Sequence, residues 1–318
     1  MAKRKSDKSS KPAISLGTSS YEQRYLYAFA TQGEIVNHLR TQALEEESVR
    51  MQEVLQSWQA LQSRVQELMK NEAGAADLTV VENIPKEHNE FIKEIESDSL
   101  FKKTFSLLPT NFGVIEIDRI TAAQRTVNLA YVNHLIEQFR KKRAFSDLLD
   151  ICVSLEREMP PIQHLEVANN THVFSSPNLD LRFLGSFLKK LTPVDLEFAA
   201  MGGLPAAAVI AFIGYGGAPV NVFRVNNRIV LNNGFHRVYA LRAVGVTKIP
   251  VVIQNVSNWQ LEFPAQVAGL PREYLMSAQR PVLMKDFFEP EFCITLRAKQ
   301  RMKAVTIQTS VGQFDIPS

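Results

Sequence analysis

Val220 to Ile253 reads VNVFRVNNRIVLNNGFHRVYALRAVGVTKIPVVI, and the fold reading starts from this stretch. Val220 to Phe223 and Arg228 to Leu231 are short β-like runs around Val225-Asn-Asn227, a hairpin-like turn signal. Asn232-Asn233-Gly234 breaks the second run. His236 to Val244 has helical character, and Gly245 suits the position just past a helix end. Ile249 to Ile253 reads as a strand with Pro250 near its start, where a missing N–H matters least. The Gly-Phe-His-Arg knuckle thus places a flexible backbone, an imidazole and a guanidinium at a helix N-terminus. Free N–H groups and the helix dipole favour a phosphate there. Gly234 lets the backbone approach a ligand, and Arg237 can donate two parallel hydrogen bonds to phosphate oxygens. The alternative is structural: Arg237 pairs with a carboxylate such as Glu116 or Asp118, and His236 caps the sheet. The local sequence leaves both open.

Upstream, VIEIDRI from Val114 alternates and is β-branched, so it reads as a strand. Thr121 to Asn128 is a connection, and Leu129 to Lys141 a helix with Asn128 as N-cap. A long mixed region from Arg143 to Gly217 follows. It holds a helix near Phe145 to Glu156, the Pro160-Pro161 break, a strand pair (Gln163 to Val167, Thr171 to Phe174) and then more helix. Its most apolar run, Phe198 to Gly214, is interrupted by Gly202, Gly203 and Pro205. The unbroken part is well short of the roughly 20 residues a membrane helix needs, so it reads as a buried core helix. Residues 21–105 read as helical. Met51, Val54, Trp58, Leu61, Val65 and Leu68 form an apolar stripe, which fits packing on the chain's own core or a homodimer through this helix.

A net charge of +3 makes no global case for nucleic acid or an acidic membrane. The positive charge is uneven, however. Lys3, Arg4, Lys5, Lys8 and Lys11 crowd a tail too polar to fold, and Arg297, Lys299, Arg301 and Lys303 form a second basic run. Such tails are commonly solvated termini; the functional alternative is a phosphate- or DNA-binding arm. Two cysteines, Cys152 and Cys293, make neither a disulfide framework nor a metal site and fit a reduced, cytoplasmic setting. His164 and His172 flank Asn169-Asn170 but lack a third ligand for a metal. Glu156, Glu158 and Glu166 around Pro160-Pro161 read as a solvated acidic loop in preference to a catalytic pair.

Asn233-Gly-Phe-His-Arg237, Ala240, Gly245 and Ile249-Pro-Val251 resemble the ParB/sulfiredoxin superfamily domain. Upstream, Ile117-Asp-Arg-Ile120 and Gln124-Arg125 are similar to that family's opening strand and Gln-Pro-Arg-like element. The match covers about a fifth of the chain. The resemblance implies nucleotide binding with phosphates at the Gly-x-His-Arg turn, and members that are partition proteins, sulfiredoxins, free-serine kinases or nucleases. It places Asn233, Gly234, His236, Arg237, Gln124 and Arg125 around phosphate, with Glu116 as the in-family carboxylate for a base or metal role. A nucleoside triphosphate with Mg2+ is the candidate cofactor. The departures are specific. Phe235 stands where sulfiredoxins carry the reactive cysteine and partition proteins a glutamate. Asn233 replaces an aspartate common in relatives. Tyr131 and His134 stand where sulfiredoxins use a Lys and a Ser toward nucleotide. No helix-turn-helix follows.

The expected fold is α+β: a small mixed sheet with helices, in ParB/sulfiredoxin manner. The expected divisions are a disordered basic tail (1–20), a helical region (21–105), the main domain (106–255, insert at about 143–217) and a packed C-terminal extension (256–318). Three functions compete. They are nucleotide or phosphate binding with phosphoryl transfer or hydrolysis, DNA association of partition or nuclease type, and a non-catalytic scaffold. A pocket lined by Arg125, His236 and Arg237 favours the first. A continuous basic face favours the second. A knuckle plugged by Phe235 and Tyr131 favours the third.

Overall fold

In the computed structural model, which describes residues 19–156, 159–167, 170–178, 180–192, 194–195 and 205–315, a mixed four-stranded sheet forms the centre. The chain enters through β1 (Ser20–Tyr25), α1 (Gln32–Thr41), α2 (Glu45–Ser48), α3 (Met51–Asn71), α4 (Asn89–Ser97) and α5 (Ser99–Thr104). Then come β2 (Thr110–Glu116), β3 (Thr126–Asn128), α6 (Leu129–Phe139) and α7 (Phe145–Cys152). The inserted part holds β4 (Gln163–Val167), β5 (Thr171–Ser176), β6 (Arg182–Lys190) and β7 (Ala207–Gly214). The decisive stretch gives β8 (Asn221–Val225), β9 (Arg228–Asn233), α8 (Phe235–Ala243) and β10 (Lys248–Val256). The chain closes with α9 (Trp259–Glu262), β11 (Gln266–Val267), β12 (Leu270–Pro271), α10 (Arg272–Ser277), β13 (Ile294–Lys299) and β14 (Lys303–Gln308).

The central sheet runs β2-β10-β8-β9. β10 is antiparallel to β2 and parallel to β8, and β8 and β9 form a hairpin. Asn226 takes a left-handed φ of 54° at the hairpin turn, which asparagine tolerates. Pro250 sits inside a central strand at no cost to the ladder. Pairing to β8 begins only at Val252, so the face that lacks an N–H has no strand beside it. The core gathers Ile115, Val222, Ile229, Leu231, Val238, Leu241, Ile249, Val251 and Ile253, all buried. Both sheet edges are covered. Glu82 pairs with Val114 outside β2, and Thr121 exchanges backbone hydrogen bonds with Ile229 and Leu231 outside β9.

The α3 stripe is covered within the chain. Val54 and Val65 are buried, Trp58 donates its indole N–H to the Ala30 carbonyl at 3.0 Å, and Leu61 and Leu68 lie against the core. Of the two covers foreseen for the stripe, this is the chain's own core. Three expectations change here. First, residues 21–105 are not all helical, because β1 pairs with β13 and β3. Its alternation is masked by an inward Gln23, buried and hydrogen-bonded to Tyr21 and His38. Second, α7 belongs to the core through Leu148, Leu149 and Cys152, so the insert starts after it. Third, the buried helix expected over 198–214 is overturned where it is described. Ala207–Gly214 is an exposed strand, as its β-branched Val209, Ile210 and Ile213 allow, paired with β6. The rest of that run, 198–204, lies outside the described residues. Among the described residues, no helix is long and apolar enough to cross a membrane.

His38 gives the layer under β1 a pH dependence. Its Nε2 meets Gln23 Oε1 at 2.7 Å and its ring stacks on Tyr25 at 4.1 Å. Burial, with the Arg301 charge as the smaller cause, holds its pKa at about 4, down from an ordinary 6.5. Between those values the unfolded chain binds the proton and the folded chain does not. Stability is therefore full above about pH 6.5 and is lost as pH falls toward about 4. Urea unfolding at pH 7 and at pH 4.5 should differ by on the order of 2 kcal/mol from this site. His38→Gln keeps a donor for Gln23 and should remove that share of the difference. An unchanged acid loss in His38→Gln would assign it elsewhere.

Candidate functional site

The knuckle forms where β9 ends and α8 begins, and each of its side chains has a definite task. Gly234 caps α8 with φ 94°. A Cβ there would lie 2.7 Å from Val220 Cγ2 and 3.2 Å from its Cα, so both conformation and space require glycine. Gly234→Ala should cost about 2 kcal/mol, read as a lowered urea midpoint with an unchanged slope. A variant as stable as the wild type would show that the close approach to Val220 is relaxed in solution.

Asn233 Oδ1 accepts the Gly234 N–H at 2.7 Å, and its Nδ2 donates to the Gly217 carbonyl at 2.7 Å. Phe235 is buried edge-on against Phe287, 5.2 Å between centroids. His236 Nε2 accepts the Asn128 N–H at 3.2 Å, and its ring meets Tyr131 edge-on at 5.4 Å. Asn128 in turn caps α6 by accepting the Tyr131 N–H at 3.0 Å. The N-termini of α6 and α8 therefore meet across His236. Arg237 donates Nη1 to the Ile151 carbonyl at 3.0 Å and Nη2 to the Ala218 carbonyl at 2.5 Å. Ile151 lies in the last turn of α7, and Ala218 follows the insert. Val220 N–H to Cys152 O, 2.6 Å, closes the same ring of contacts. Asn233 and Arg237 thus grip both feet of the insert.

The other expected site residues have partners of their own. Gln124 donates to the Thr126 carbonyl at 2.7 Å. Arg125 is nearly buried, bridges to Glu34 at 2.6 Å and lies over the Tyr274 ring at 5.6 Å. Glu116 is half-exposed and paired with Arg119 at 3.0 Å. Asp118 binds Arg242, in the last turn of α8, at 2.6 Å. Glu116 therefore belongs to the C-terminal end of α8, a helix length from Gly234. Of the two carboxylates foreseen for Arg237, Glu116 serves Arg119 and Asp118 serves Arg242, while Arg237 donates to two backbone carbonyls. Burial pushes the Cys152 thiol up to about 12, and burial also raises Cys293, so neither is a ready thiolate. His164 Nε2 and His172 Nδ1 come within 3.1 Å on the β4–β5 hairpin. Among the described residues, no three His, Cys, Asp or Glu side chains are grouped to hold a metal. Glu158 lies outside the described residues.

Two clefts lie elsewhere. One, about 290 Å3, is lined by Arg64, Glu67, Glu72, Arg280, Lys285 and Asp286 among others. Arg280 is fully buried there on Asp286 and Glu72. The other, about 370 Å3, is lined by Asp77, Asn226, Asn227, Arg228, Trp259 and Met276 among others. Arg228 forks onto Asp77 there with two 2.8 Å contacts and also donates to the Leu275 and Met276 carbonyls. Both arginines are tied internally, so their clefts are walled by completed ion pairs. Neither group is legible in full, because Arg228 and Asp77 are 151 residues apart and Arg280 and Glu72 are 208 apart. The chain matches no protein-family model, no curated protein and no solved structure.

Proposed function

We propose that this chain is a non-catalytic scaffold, a ParB/sulfiredoxin-like platform whose Gly-Phe-His-Arg turn clasps an inserted arm in place of a nucleotide. The observation that carries the reading is the Arg237 fork on Ile151 and Ala218, the two feet of the insert. Two of the five donors of this guanidinium are committed to the feet of the insert, and its fork is held there. The plug foreseen for a scaffold has support in Phe235, buried on Phe287, and Tyr131, set against His236. The residues present do not fit a Mg2+–nucleotide. Asn233 has an amide where a carboxylate would bind metal, and that amide holds Gly217. Glu116 is paired with Arg119 and stands at the far end of α8.

The nucleotide reading keeps one specific support, the meeting of two helix N-termini at Asn128 and His236. The DNA-associated reading rests on the basic tails. The first tail lies outside the described residues, and Arg297 in the second is within 3.6 Å of Glu46. Thermal unfolding with millimolar ATP, CTP or GTP, with and without Mg2+, separates the first two readings. A ligand that binds the native state at 100 times its Kd stabilises by about 2.7 kcal/mol. The scaffold reading expects no shift. A nucleotide-specific rise in melting temperature would overturn it.

A further inference from the structure

The three-stranded sheet β14-β5-β4 carries a pair of side chains that the knuckle does not use. β5 is held on both sides, by β14 and β4, and β4 pairs with β5 alone. In this ladder His164 stands opposite Phe174, and His172 opposite Glu166. Directly opposed residues share a face, as do residues two apart on one strand, so His164, Glu166 and His172 lie on one face. His164 Nε2 comes within 3.1 Å of His172 Nδ1. The His164 ring also stacks on Phe174, with 4.8 Å between centroids and 20° between planes, which steadies its direction. Val167 still pairs with Thr171 beyond Glu166, so both imidazoles sit in the ladder and not on the turn. His164 is exposed and His172 partly so.

We propose that His164 and His172 chelate a divalent transition cation, Cu2+ before Ni2+ and Zn2+, with water completing its coordination. The bite of the pair fits. Metal–nitrogen bonds of about 2.0–2.1 Å require donor nitrogens ~2.9 Å apart at a right angle and ~3.4 Å apart at a tetrahedral one. The 3.1 Å separation lies between the two. Protonation is no obstacle. Two neutral imidazoles at this distance share one N–H, and the donating ring frees its lone pair by moving that proton to its other nitrogen, with no change of charge. Glu166 adds a carboxylate to the same face, opposite His172. The three side chains are not gathered as one ligand set, so the imidazoles supply the bonds and the carboxylate supplies charge. Ligand chemistry selects the class of cation. Imidazole suits Cu, Ni and Zn, with Cu2+ held most tightly, whereas Mg2+ and Ca2+ take oxygen ligands. A cation so held links the edge strand β4 to β5 inside the insert. The site is independent of the scaffold reading, which concerns the feet of the insert.

The test titrates CuCl2, NiCl2, ZnCl2 and MgCl2 into the full, untagged chain by isothermal calorimetry. The variants are His164→Gln and His172→Gln, with His134→Gln in α6 as control. The wild type should bind Cu2+ with a Kd below about 100 μM and should not bind Mg2+. Loss of an outer-shell partner alone costs about 10–100-fold in metal affinity, so loss of either ligand should weaken Cu2+ by at least about 10-fold. His134 bonds Gln138 at 2.9 Å on another element, and its variant should bind as the wild type does. Circular dichroism checks that each variant is folded. Electron paramagnetic resonance of bound Cu2+ gives a readout that stability does not move: coupling to two nitrogens in the wild type and to one in either variant. A wild type that binds none of Cu2+, Ni2+ and Zn2+ at about 100 μM would overturn the proposal. So would Cu2+ affinity and a two-nitrogen signal that survive in both folded variants, or Mg2+ binding as tight as that of Cu2+. A nucleotide-induced rise in melting temperature would sink the scaffold reading and leave the chelate standing.

Discussion

Arg237→Ala lowers the stability of the chain by about 2–4 kcal/mol, to the same extent with and without nucleotide. The guanidinium makes two charge-assisted bonds, each worth roughly 1.5–3 kcal/mol gross of relaxation, to carbonyls that close the feet of the insert. Removing it leaves the Ile151 and Ala218 carbonyls short of a donor, at a place where α7 and β8 must stay together. Arg237→Lys recovers little, because one ammonium cannot span two carbonyls held by a planar fork. The loss should also be local. Limited proteolysis should cut between Cys152 and Val220 sooner in the variant, with the central sheet still resistant. A phosphate-binding arginine behaves differently: its alanine variant keeps the melting temperature of the free protein and loses the nucleotide-induced rise. Melting curves of both variants, with and without ATP and Mg2+, decide between the two.

The central sheet was legible because its signals are local. The Asn226 turn, the glycine stops at 234 and 245 and the period-2 runs each act within a few residues. β2, β8, β9 and β10 accordingly join one sheet, with α8 between β9 and β10, as the punctuation predicts. The task of the knuckle was not legible. Gly-Phe-His-Arg shows that a guanidinium stands at a helix N-terminus, but its direction depends on where the insert returns to the core. Ile151 and Arg237 are 86 residues apart, and nothing local encodes their meeting. β1 was missed because a buried glutamine broke the apolar alternation. β7 was missed because a long apolar run without polar interruption reads equally as helix or strand. Its β-branched residues favoured strand, and the pairing with β6 settles the matter at long range. Motif residues fix local backbone, whereas long-range partners fix use.

The largest loss of stability is expected from Asp286→Ala, about 3–5 kcal/mol. Arg280 has no exposed side-chain surface, and Asp286 has 2%. Asp286 takes both terminal guanidinium nitrogens, Nη2 at 2.7 Å, and also accepts the Leu283 N–H at 2.7 Å. Glu72, just past the end of α3, accepts from the same arginine at 2.8 Å and from Lys285 at 2.8 Å, while Arg280 lies over the Phe29 ring at 5.5 Å. This cluster joins the helical N-terminal layer to the C-terminal segment. Truncating the aspartate leaves a buried cation with one half-satisfying partner, and desolvation of that cation is the dominant cost. The double variant Arg280→Met/Asp286→Leu, which removes both charges, should therefore be more stable than Asp286→Ala alone. Salt supplies a further check, because a pair shielded from solvent is screened little. The gap between wild type and Asp286→Ala should persist from 0.1 to 1 M NaCl in urea unfolding. A cost below about 1 kcal/mol, or a gap that closes with salt, would mean that water reaches Arg280 and that the two layers are held by apolar contacts alone.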